Sequence, residues 1–330
     1  MNSVELKMLQ SLPFELKVLK TQQRIREWVT HFGVNGVYVS FSGGKDSTVL
    51  LDIVRKMYPD VEAVFVNTGL EYPEIQRFVK TFDNVKLLYP EMSFKDVITT
   101  YGYPLLSKSI ASKIEASRRG LKWAEKYFEG TATRKNGMPS LYNVKKYKPL
   151  VDVDFNISHK CCDVMKKKPI HKYEKESGKV PIIATMASES KTRLAGWLRT
   201  GCNAFDGKNV MSKPMSFWTE QNVLEYIRRN NIKIASVYGD ILTGQSKGCK
   251  LCTSGCERTG CIFCGFGAHL EKGEGRFEKL KRTHPKQYDY CMDGGAYDTD
   301  GIWKPDKSGL GMRHVINELN RLYGKDFIKY

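Results

Sequence analysis

The chain has 330 residues, of which 53 are lysine or arginine and 36 are aspartate or glutamate, giving a formal net charge of +17. Hydrophobic residues make up 41% and charged residues 27%, which excludes a wholly disordered chain. No stretch approaches the roughly 20 apolar residues needed to cross a bilayer, and the N-terminal residues lack a signal-peptide core. The composition therefore predicts a folded cytoplasmic protein with no membrane partner. Its basic charge favours nucleic acid or a phosphate-rich small molecule.

The first ninety residues alternate between helix and strand patterns. Apolar residues at helical spacing predict helices over 5–30, divided at Pro13. Strands are predicted next at 37–41, 62–66 and 85–89, and helices lie between them at 48–58 and 73–82. This order predicts an α/β fold with a doubly wound parallel sheet.

The rest of the chain changes character twice. Residues 101–150 hold eleven lysines or arginines against three acidic residues, with seven aromatic residues among them. Strand character returns at 181–186, and amphipathic helices are predicted at 219–230 and 312–323. Glycine, cysteine and lysine dominate from Gly244 onward. The predicted regions are N-terminal helices at 1–36, a nucleotide-binding α/β domain at 37–215 with the basic insertion 101–150, and a helical, cysteine-rich C-terminal region at 216–330.

The most informative feature is a glycine-rich segment between the first predicted strand and the next helix, Ser42-Gly43-Gly44-Lys45-Asp46-Ser47. Glycines let backbone amides approach a phosphate, and a helix N-terminus attracts its charge. Lys45 supplies a point charge, and Asp46 either helps to position Mg²⁺ or caps the helix. A Walker A loop would need Ser or Thr where Asp46 stands. The order strand, loop, helix therefore favours an oligophosphate site over a simple glycine turn.

This segment resembles the PP-loop of the ATP pyrophosphatase superfamily, whose members bind adenine nucleotides in a Rossmann-like domain. Residues 64–73 (VFVNTGLEYP) resemble the adenosine-contacting element of its sulfonucleotide reductase branch. Residues 214–239 follow the later Pro…Trp-Thr…Val…Tyr-Ile…Tyr-Gly pattern of that branch. The resemblance covers most of the chain and is strongest to PAPS (phosphoadenylyl sulfate) reductase family proteins of the phage and mobile-element type.

The resemblance implies a bound nucleotide, which is either ATP with Mg²⁺ or a ready-made adenylyl sulfate. The implied catalytic residues are Lys45, Asp46 and Arg193. The implied nucleotide-binding residues are Ser42, Gly43, Gly44, Lys45, Asp46, Ser47, Asn67, Thr68, Gly69, Glu189, Ser190 and Arg193.

Two departures from the reductase branch bear on the reaction. Where that branch has Gly-x-Arg-x-x-Glu-Ser-x-x-Arg, this chain keeps Glu189, Ser190 and Arg193 but has Met186 in place of the first Arg. The reductases also carry their nucleophilic cysteine in a Glu-Cys-Gly-(Leu/Ile)-His segment, and the sequence around Cys291 does not match it. Both departures count against sulfonucleotide reduction.

Most of the nine cysteines are clustered, at Cys161, Cys162, Cys249, Cys252, Cys256, Cys261 and Cys264. In a reducing compartment so dense a set indicates metal binding rather than disulfides. One interpretation is a zinc site formed by the two C-x2-C pairs, Cys249 with Cys252 and Cys261 with Cys264. The favoured one is a 4Fe–4S cluster on Cys261 and Cys264 with Cys256 or the Cys161-Cys162 pair. Residues 161–170 resemble the Cys-Cys…Lys-x-x-Pro segment of cluster-bearing adenylyl-sulfate reductases.

The remaining candidate features have two interpretations each. Cys202 is a packing residue or a sulfur carrier, and His269 and His284 are structural residues or else ligands or proton carriers. The insertion 101–150 is a solvated helical face, or it follows a phosphate backbone and stacks bases. The second interpretation is favoured, because the positive charge is local as well as global, and it predicts a nucleic-acid partner, tRNA or DNA.

Three functions fit these patterns. The leading hypothesis is an ATP-dependent sulfurtransferase, similar to thiolating PP-loop proteins, that adenylates a nucleic acid, releases pyrophosphate and inserts sulfur from a cluster or a cysteine persulfide donor. The second is a sulfonucleotide reductase that makes sulfite with a thioredoxin-like reductant. The third is a nucleotide-sensing, nucleic-acid-binding subunit of a modification complex.

Overall fold

The structure, a computed structural model, describes residues 2–207, 209–244 and 250–330. The helices are α1 Ser3–Ser11, α2 Phe14–Phe32, α3 Lys45–Met57, α4 Pro73–Val79, α5 Phe94–Tyr101, α6 Lys108–Arg118, α7 Lys122–Glu129, α8 Lys168–Ser177, α9 Lys191–Thr200, α10 Glu220–Arg229, α11 Arg276–Thr283, α12 Pro285–Met292 and α13 Met312–Tyr323. The strands are β1 Val37–Ser40, β2 Ala63–Val66, β3 Val85–Leu88, β4 Leu105–Leu106, β5 Val180–Ile183, β6 Asn203–Ala204, β7 Met211–Ser212, β8 Ile241–Thr243, β9 Leu251–Thr253, β10 Gly265–Phe266, β11 Ala296–Tyr297 and β12 Trp303–Lys304. Within these ranges no helix is long and apolar enough to cross a membrane.

The elements predicted for the first ninety residues are confirmed, with small shifts at their ends. The N-terminal helical stretch divides at Pro13 into α1 and α2, because proline cannot donate a helical hydrogen bond. α3 begins at Lys45 rather than at the predicted Thr48, so the end of the glycine-rich segment forms the first helical turn. The last predicted helix, α13, is closed by Gly324, whose N–H donates to the Asn320 carbonyl.

The described chain divides into two compact units, each built from separate segments. The first unit comprises Met1–Asn67, Glu71–Tyr89 and Pro169–Thr259. The second unit comprises Thr68–Leu70, Pro90–Lys168 and Gly260–Tyr330. The region boundary that composition places near residue 215 stays a prediction.

The first unit is built on a central sheet whose described strands run in the order β3-β2-β1-β5-β7-β6. Neighbouring strands pair in parallel except β6 and β7. Val39 of β1 is level with Ala63 of β2 on one side and with Ile182 of β5 on the other. Strand order therefore reverses beside β1, and ligands of open α/β sheets bind outside the carboxyl ends of the strands at such a reversal. The predicted α/β fold with a parallel sheet is confirmed.

Apolar burial places β1 at the centre of this unit. Val37, Tyr38 and Val39 are fully buried, the continuous pattern of a strand covered on both faces. The Tyr38 ring packs edge-on against Tyr173 of α8, with ring centroids 5.3 Å apart. Burying side chains of this size stabilises the fold by about 1.5–3 kcal/mol each. The segment that follows β1 therefore starts from a rigid base.

The second unit is mainly helical and contains the last part of the predicted cysteine-rich region, from Gly260 onward, with Cys261 and Cys264. Its strand pairs are short: β4 pairs in parallel with β10, and β11 pairs antiparallel with β12. Gly265 lies opposite Leu105, where a Cβ atom would be 2.7 Å from the Leu105 side chain and from the Pro104 carbonyl oxygen. Only glycine allows this close approach, which fixes the chain directly after Cys264 against β4.

Candidate functional site

The glycine-rich segment is a compact, hydrogen-bonded turn between β1 and α3. The Ser42 N–H donates to the Ser47 hydroxyl at 3.2 Å, and the two serine hydroxyl oxygens lie 3.0 Å apart. The Gly44 carbonyl accepts from the hydroxyls of Ser47 and Thr48 at 2.9 and 3.0 Å. These bonds hold the turn against the N-terminus of α3, where the helix dipole favours an anion. The arrangement is the one expected of a phosphate loop.

Gly43 cannot be replaced without strain. Its φ is +69°, in the left-handed region that side chains disfavour. A Cβ atom would also lie 2.7 Å from Val79 Cγ2 and 2.8 Å from Ile75 Cγ2 of α4. Glycine is therefore needed both for the turn and for the packing of α4 against it.

Lys45 is the buried cation of this segment. Its side chain is 3% exposed, and Nζ lies 3.0 Å from Glu220 Oε1 and donates to the Glu257 carbonyl at 2.8 Å. The Lys45 N–H donates to the Tyr238 hydroxyl at 3.1 Å. Because a carboxylate and a carbonyl already accept from the ammonium, an entering phosphate has to share it with them or displace them.

Asp46 is a partly buried carboxylate beside Lys45. Burial raises its pKa, and the Lys45 charge only partly offsets that effect. Its Oδ1 atom is inaccessible, makes no hydrogen bond and lies 3.7 Å from Lys45 Nζ. A buried carboxylate oxygen without a donor suits a divalent cation or a water bound to one. The chemistry of Asp46 therefore fits the predicted Mg²⁺.

A second group of charges lies at the segment after β5 and on α9. Arg193 forms an ion pair with Glu189, whose Oε2 also accepts the Met186 N–H at 2.8 Å. Arg258 Nη1 lies 3.7 Å from Glu189 Oε1. Partial burial lowers the pKa of Arg193, and the nearby Arg258 charge lowers it further. A single carboxylate neutralises only one of the two guanidinium groups, so the pair can bind a further anion.

These groups face one pocket of about 430 Å³ at the carboxyl ends of β1 and β5, where strand order reverses. The predicted residues that line it are Ser42, Gly44, Lys45, Asp46, Ser47, Glu189 and Arg193. The lining residues that no local motif identified are Ser40, Ile183, Arg258 and Thr259. Tyr238 also lines the pocket, and the Tyr-Gly pattern was its only signal in the sequence. Arg258 and Thr259 lie within the cysteine-rich segment, between Cys256 and Cys261, where nothing marks them as part of a phosphate site.

The other predicted nucleotide-binding residues lie outside this lining. Gly43 shapes the turn from behind, and the Ser190 hydroxyl caps α9 by accepting the Arg193 N–H at 3.2 Å. Asn67 follows β2 and donates its N–H to the Leu88 carbonyl at 2.8 Å. Thr68 and Gly69 belong to the second unit. Contact of Asn67, Thr68 and Gly69 with adenosine stays a prediction.

Four of the predicted metal-binding cysteines lie within electrostatic range of one another in the second unit: Cys161, Cys162, Cys261 and Cys264. Burial raises the pKa of Cys161, and the other three thiols raise it further. The pKa of Cys264 is also raised, mainly by burial. The Cys264 N–H donates to the Cys261 carbonyl at 3.1 Å, and Arg276 donates to the Cys264 carbonyl at 2.7 Å. A fixed turn therefore carries this C-x2-C pair.

The donor chemistry of these four cysteines fits an iron–sulfur cluster or a zinc ion. All four are free thiols, and thiolate sulfur is a preferred ligand of both groups. As placed across the described ranges, no three His, Cys, Asp or Glu side chains converge closely enough to hold a metal ion. Ligation requires the thiols to lose protons and to close in, so it would be coupled to a local rearrangement. The choice between cluster and zinc stays a prediction.

The alternative cysteine ligands lie elsewhere. Cys249, which the zinc interpretation needs, falls outside the described residues. Cys252 and Cys256 belong to the first unit. The Cys256 N–H donates to the Val237 carbonyl at 2.9 Å, and its own carbonyl accepts from the Thr253 hydroxyl at the same distance. A ligand role for Cys256 stays a prediction.

The contacts of the remaining candidate residues, two cysteines and two histidines, are those of structural residues. Cys202 is buried 3.3 Å from the Ser216 hydroxyl, and Cys291 is fully buried. Burial raises the pKa of both thiols, which keeps them protonated and poorly nucleophilic. His269 stacks on Phe327 with ring centroids 5.2 Å apart, and burial lowers its pKa. His284 lies at the start of α12 with Nδ1 2.8 Å from the Thr283 hydroxyl.

Comparison with known proteins places these features in a family. The sequence model of the phosphoadenosine phosphosulfate reductase domain matches residues 36–104 and 118–265, well over half of the chain. The adenosine 5′-phosphosulfate reductase of Staphylococcus epidermidis is 25% identical over 236 residues, covering 71% of this chain and 77% of the relative.

Two solved structures also align with the chain, each at 13% identity. The PAPS reductase of Candida auris, in a phosphate complex, aligns with a TM-score of 0.39 over 72% of this chain and 90% of that one. A tRNA thiolase of Methanococcus maripaludis with its 4Fe–4S cluster aligns with a TM-score of 0.33 over 84% and 77%.

The family match includes the phosphate loop, the segment that carries Arg193 and both cysteine pairs of the second unit. It thus spans the strands and helices that build the pocket. The chain belongs to the phosphoadenosine phosphosulfate reductase domain family.

Proposed function

We propose that this chain is an ATP-dependent enzyme that adenylates a nucleic acid and then replaces the activated oxygen with sulfur. The observation that carries the proposal is the pocket at Ser42–Ser47, where a buried ammonium, two guanidinium groups and a helix N-terminus surround space for an oligophosphate. The unpartnered oxygen of Asp46 supports Mg²⁺ at the same place. Membership in a family that binds adenine nucleotides supports ATP as the ligand.

In the first step, a carbonyl oxygen of a nucleobase attacks the α-phosphorus of ATP. The new O–P bond forms as the bond to the pyrophosphate oxygen breaks, so AMP becomes attached to the base and pyrophosphate leaves. Negative charge grows on the leaving group, where Lys45, Arg193 and the loop amides can stabilise it. Removing one such preorganised donor typically slows a reaction by about 10²–10³-fold.

In the second step, a sulfur donor at the oxidation level of hydrosulfide attacks the activated carbon. A C–S bond forms, the C–O bond breaks, and AMP leaves with the oxygen, so no electrons are gained or lost overall. Cys161, Cys162, Cys261 and Cys264 would hold the iron–sulfur cluster, which supplies a place to bind that sulfur. Burial raises the pKa of Cys161 and of Cys264 and the Lys166 charge offsets only part of that rise, so binding of the group has to drive the loss of these protons.

Pyrophosphate release tests the first step. Purified protein with ATP and Mg²⁺ should release pyrophosphate only when RNA or DNA is added. Lys45→Ala should lower the rate by about 100-fold or more, because the buried ammonium is lost. Lys56→Ala is the matched control, since Lys56 is an exposed residue of the same helix. Full activity of Lys45→Ala would show that the mechanism is wrong. Binding of nucleotide and nucleic acid without turnover would favour a nucleotide-sensing subunit.

Sulfonucleotide reduction is the second candidate, because a curated relative carries that name and four thiols are grouped in the second unit. Two observations oppose it. Met186, which stands where the reductases have an arginine, is 2% exposed and offers no cation, and Cys291 is fully buried. Sulfite release from either adenylyl sulfate with thioredoxin would replace the first proposal with this one.

A further inference from the structure

The insertion 101–150 contains a separate small pocket, called the slot below, which shares no lining residue with the pocket at Ser42–Ser47. The slot has a volume of about 330 Å³ and is lined by Ser109, Ser112, Lys113, Trp123, Tyr127 and Tyr142. We propose that it binds one unpaired base of a single-stranded nucleic acid. The inference rests on the proposed function, because it gives the substrate strand a docking point on the second unit.

Two aromatic side chains of the slot are unusually exposed. Trp123 is 49% exposed and Tyr142 is 69% exposed. Trp123 meets Tyr127, one turn further along α7, nearly edge-on, with ring centroids 6.2 Å apart and an interplanar angle of 82°. Since an edge-on contact covers little of the indole faces and half of the side chain is accessible, the ring has surface available for a stacked base.

A fixed cation and two hydroxyls form the polar side of the slot. Lys113 is 7% exposed, and its Nζ donates to the Ser109 hydroxyl at 2.7 Å and lies 4.9 Å from the Tyr127 ring centroid. The hydroxyls of Ser109 and Ser112 complete this side. Hydrogen-bonding groups beside aromatic rings suit a nucleobase, which has flat apolar faces and a polar edge. A purely aliphatic ligand would cover these polar groups without forming a hydrogen bond to any of them.

The charge of the insertion favours a phosphate backbone around that base. The exposed cations of the insertion are Lys108, Arg119, Lys122, Lys126, Arg134, Lys135, Lys145, Lys146 and Lys148. Of its three acidic residues, all of them described, only Glu129 is exposed. A single strand provides both free bases and regularly spaced phosphates, whereas in a duplex the bases are already paired and stacked.

Tryptophan fluorescence gives a direct test, because all five tryptophans lie in the described ranges and Trp123 is the only one classed as exposed. The full-length protein is titrated with a short single-stranded RNA, the matching DNA, the DNA duplex and an abasic single strand. We expect quenching by the single strands with bases. The affinity of variants that lack Trp123 is measured by the anisotropy of a dye-labelled strand, where Trp123→Ala should bind about tenfold more weakly and Trp123→Phe should retain most of the affinity. Tyr89→Ala, which removes a 62% exposed aromatic of the first unit, is the matched control and should bind as the parent does.

Equal binding of the abasic strand, or unchanged affinity in Trp123→Ala, would overturn the inference. Tighter binding of RNA or of DNA identifies which strand the slot takes. Lys45→Ala is measured in parallel and should still show quenching while it releases pyrophosphate about 100-fold more slowly. Quenching without pyrophosphate release in the parent would leave the slot standing and refute adenylation. Pyrophosphate release without quenching would refute base binding in the slot and support adenylation.

Discussion

Buried charge distinguishes the residues of the pocket at Ser42–Ser47. Lys45 and Asp46 are adjacent in sequence and both are drawn inward by the first turn of α3. Lys45 is neutralised by Glu220, whereas Asp46 has one oxygen that makes no hydrogen bond. A charge arrangement of this kind is costly without a ligand, and residues that only stabilise a fold seldom show it.

Asp46 should make stability depend on pH. Burial raises its pKa above the ordinary value of about 3.9, so the folded protein holds this proton more tightly than the unfolded chain. Stability therefore falls as pH rises from the ordinary pKa through the raised one. Without Mg²⁺, the melting temperature of Asp46→Asn minus that of the parent should increase between about pH 4 and about pH 7. Scanning calorimetry measures it, with exposed Asp60→Asn as control. A difference that stays constant with pH would contradict this explanation.

Gly43 allows a test of close packing against backbone strain. Gly43 and Gly178 both have φ of +69°, but only at Gly43 would a Cβ atom meet a neighbour within 4 Å. Gly178→Ala should cost about 1 kcal/mol for the strained backbone alone. Gly43→Ala should cost a further 1–3 kcal/mol or so, because Val79 and Ile75 have to move. Urea denaturation measures both variants, and equal losses would show that α4 does not constrain the loop.

At the scale of elements, α6 is tied to the chain after it by one arginine. Arg118 donates to the carbonyls of Leu150, Val151, Val153 and Phe155 and to the Asn156 side chain at 2.7–3.3 Å. Arg119 beside it is exposed. Lysine cannot reproduce this fan of donors, so Arg118→Lys should lower the free energy of unfolding by about 2–3 kcal/mol. Arg119→Lys should change it by less than about 0.5 kcal/mol. Similar losses in both variants would contradict the assigned role.

The sequence predicts those parts of the site that are contiguous. β1, the glycine-rich turn and α3 follow one another, so residue type and hydrophobic period suffice to place Ser42, Lys45 and Ser47. Arg258 and the Glu257 carbonyl reach the same pocket from more than 200 positions further along the chain. Their position beside the pocket depends on tertiary packing, which leaves no periodic or motif signal in one sequence.

Family resemblance suggested which cysteines belong together, and residue spacing alone could not. Spacing by itself allowed a zinc site that uses Cys249 and Cys252 as readily as an iron–sulfur cluster that uses the distant Cys161-Cys162 pair. The latter pair shares a unit with Cys261 and Cys264, although about a hundred residues separate them in sequence. Charge counting alone also does not distinguish Arg118, which binds backbone carbonyls, from an exposed arginine such as Arg119.

At the scale of the whole molecule, the net charge of +17 should make nucleic-acid binding strongly dependent on salt. Each phosphate contact with a single strand contributes a slope of about 0.7 in the logarithm of affinity against the logarithm of salt. Replacing Lys145, Lys146 and Lys148 with glutamine should reduce the slope by about 2. The control replaces the exposed lysines Lys7, Lys80 and Lys175 of the first unit. Equal slopes in both variants would show that the insertion makes no special contact.

The described chain also shows a division that a linear pass along the sequence does not reveal. Each unit is assembled from separate segments, and the chain passes between the units near residues 67–71, 89, 168 and 259. Composition distinguishes only segments that are continuous in sequence, whereas contacts group residues regardless of their order. The pocket at Ser42–Ser47 belongs to the first unit, and the four grouped cysteines and the insertion belong to the second.

Titration calorimetry with Mg²⁺ and a non-hydrolysable ATP analogue tests nucleotide binding at Ser42–Ser47 most directly. The parent and Lys56→Ala should each bind one equivalent with similar affinity, and Lys45→Ala should bind at least about tenfold more weakly, because a charge-assisted contact to the phosphates is lost. No heat of binding in the parent, or equal affinity in the parent and Lys45→Ala, would contradict an adenine nucleotide at this loop.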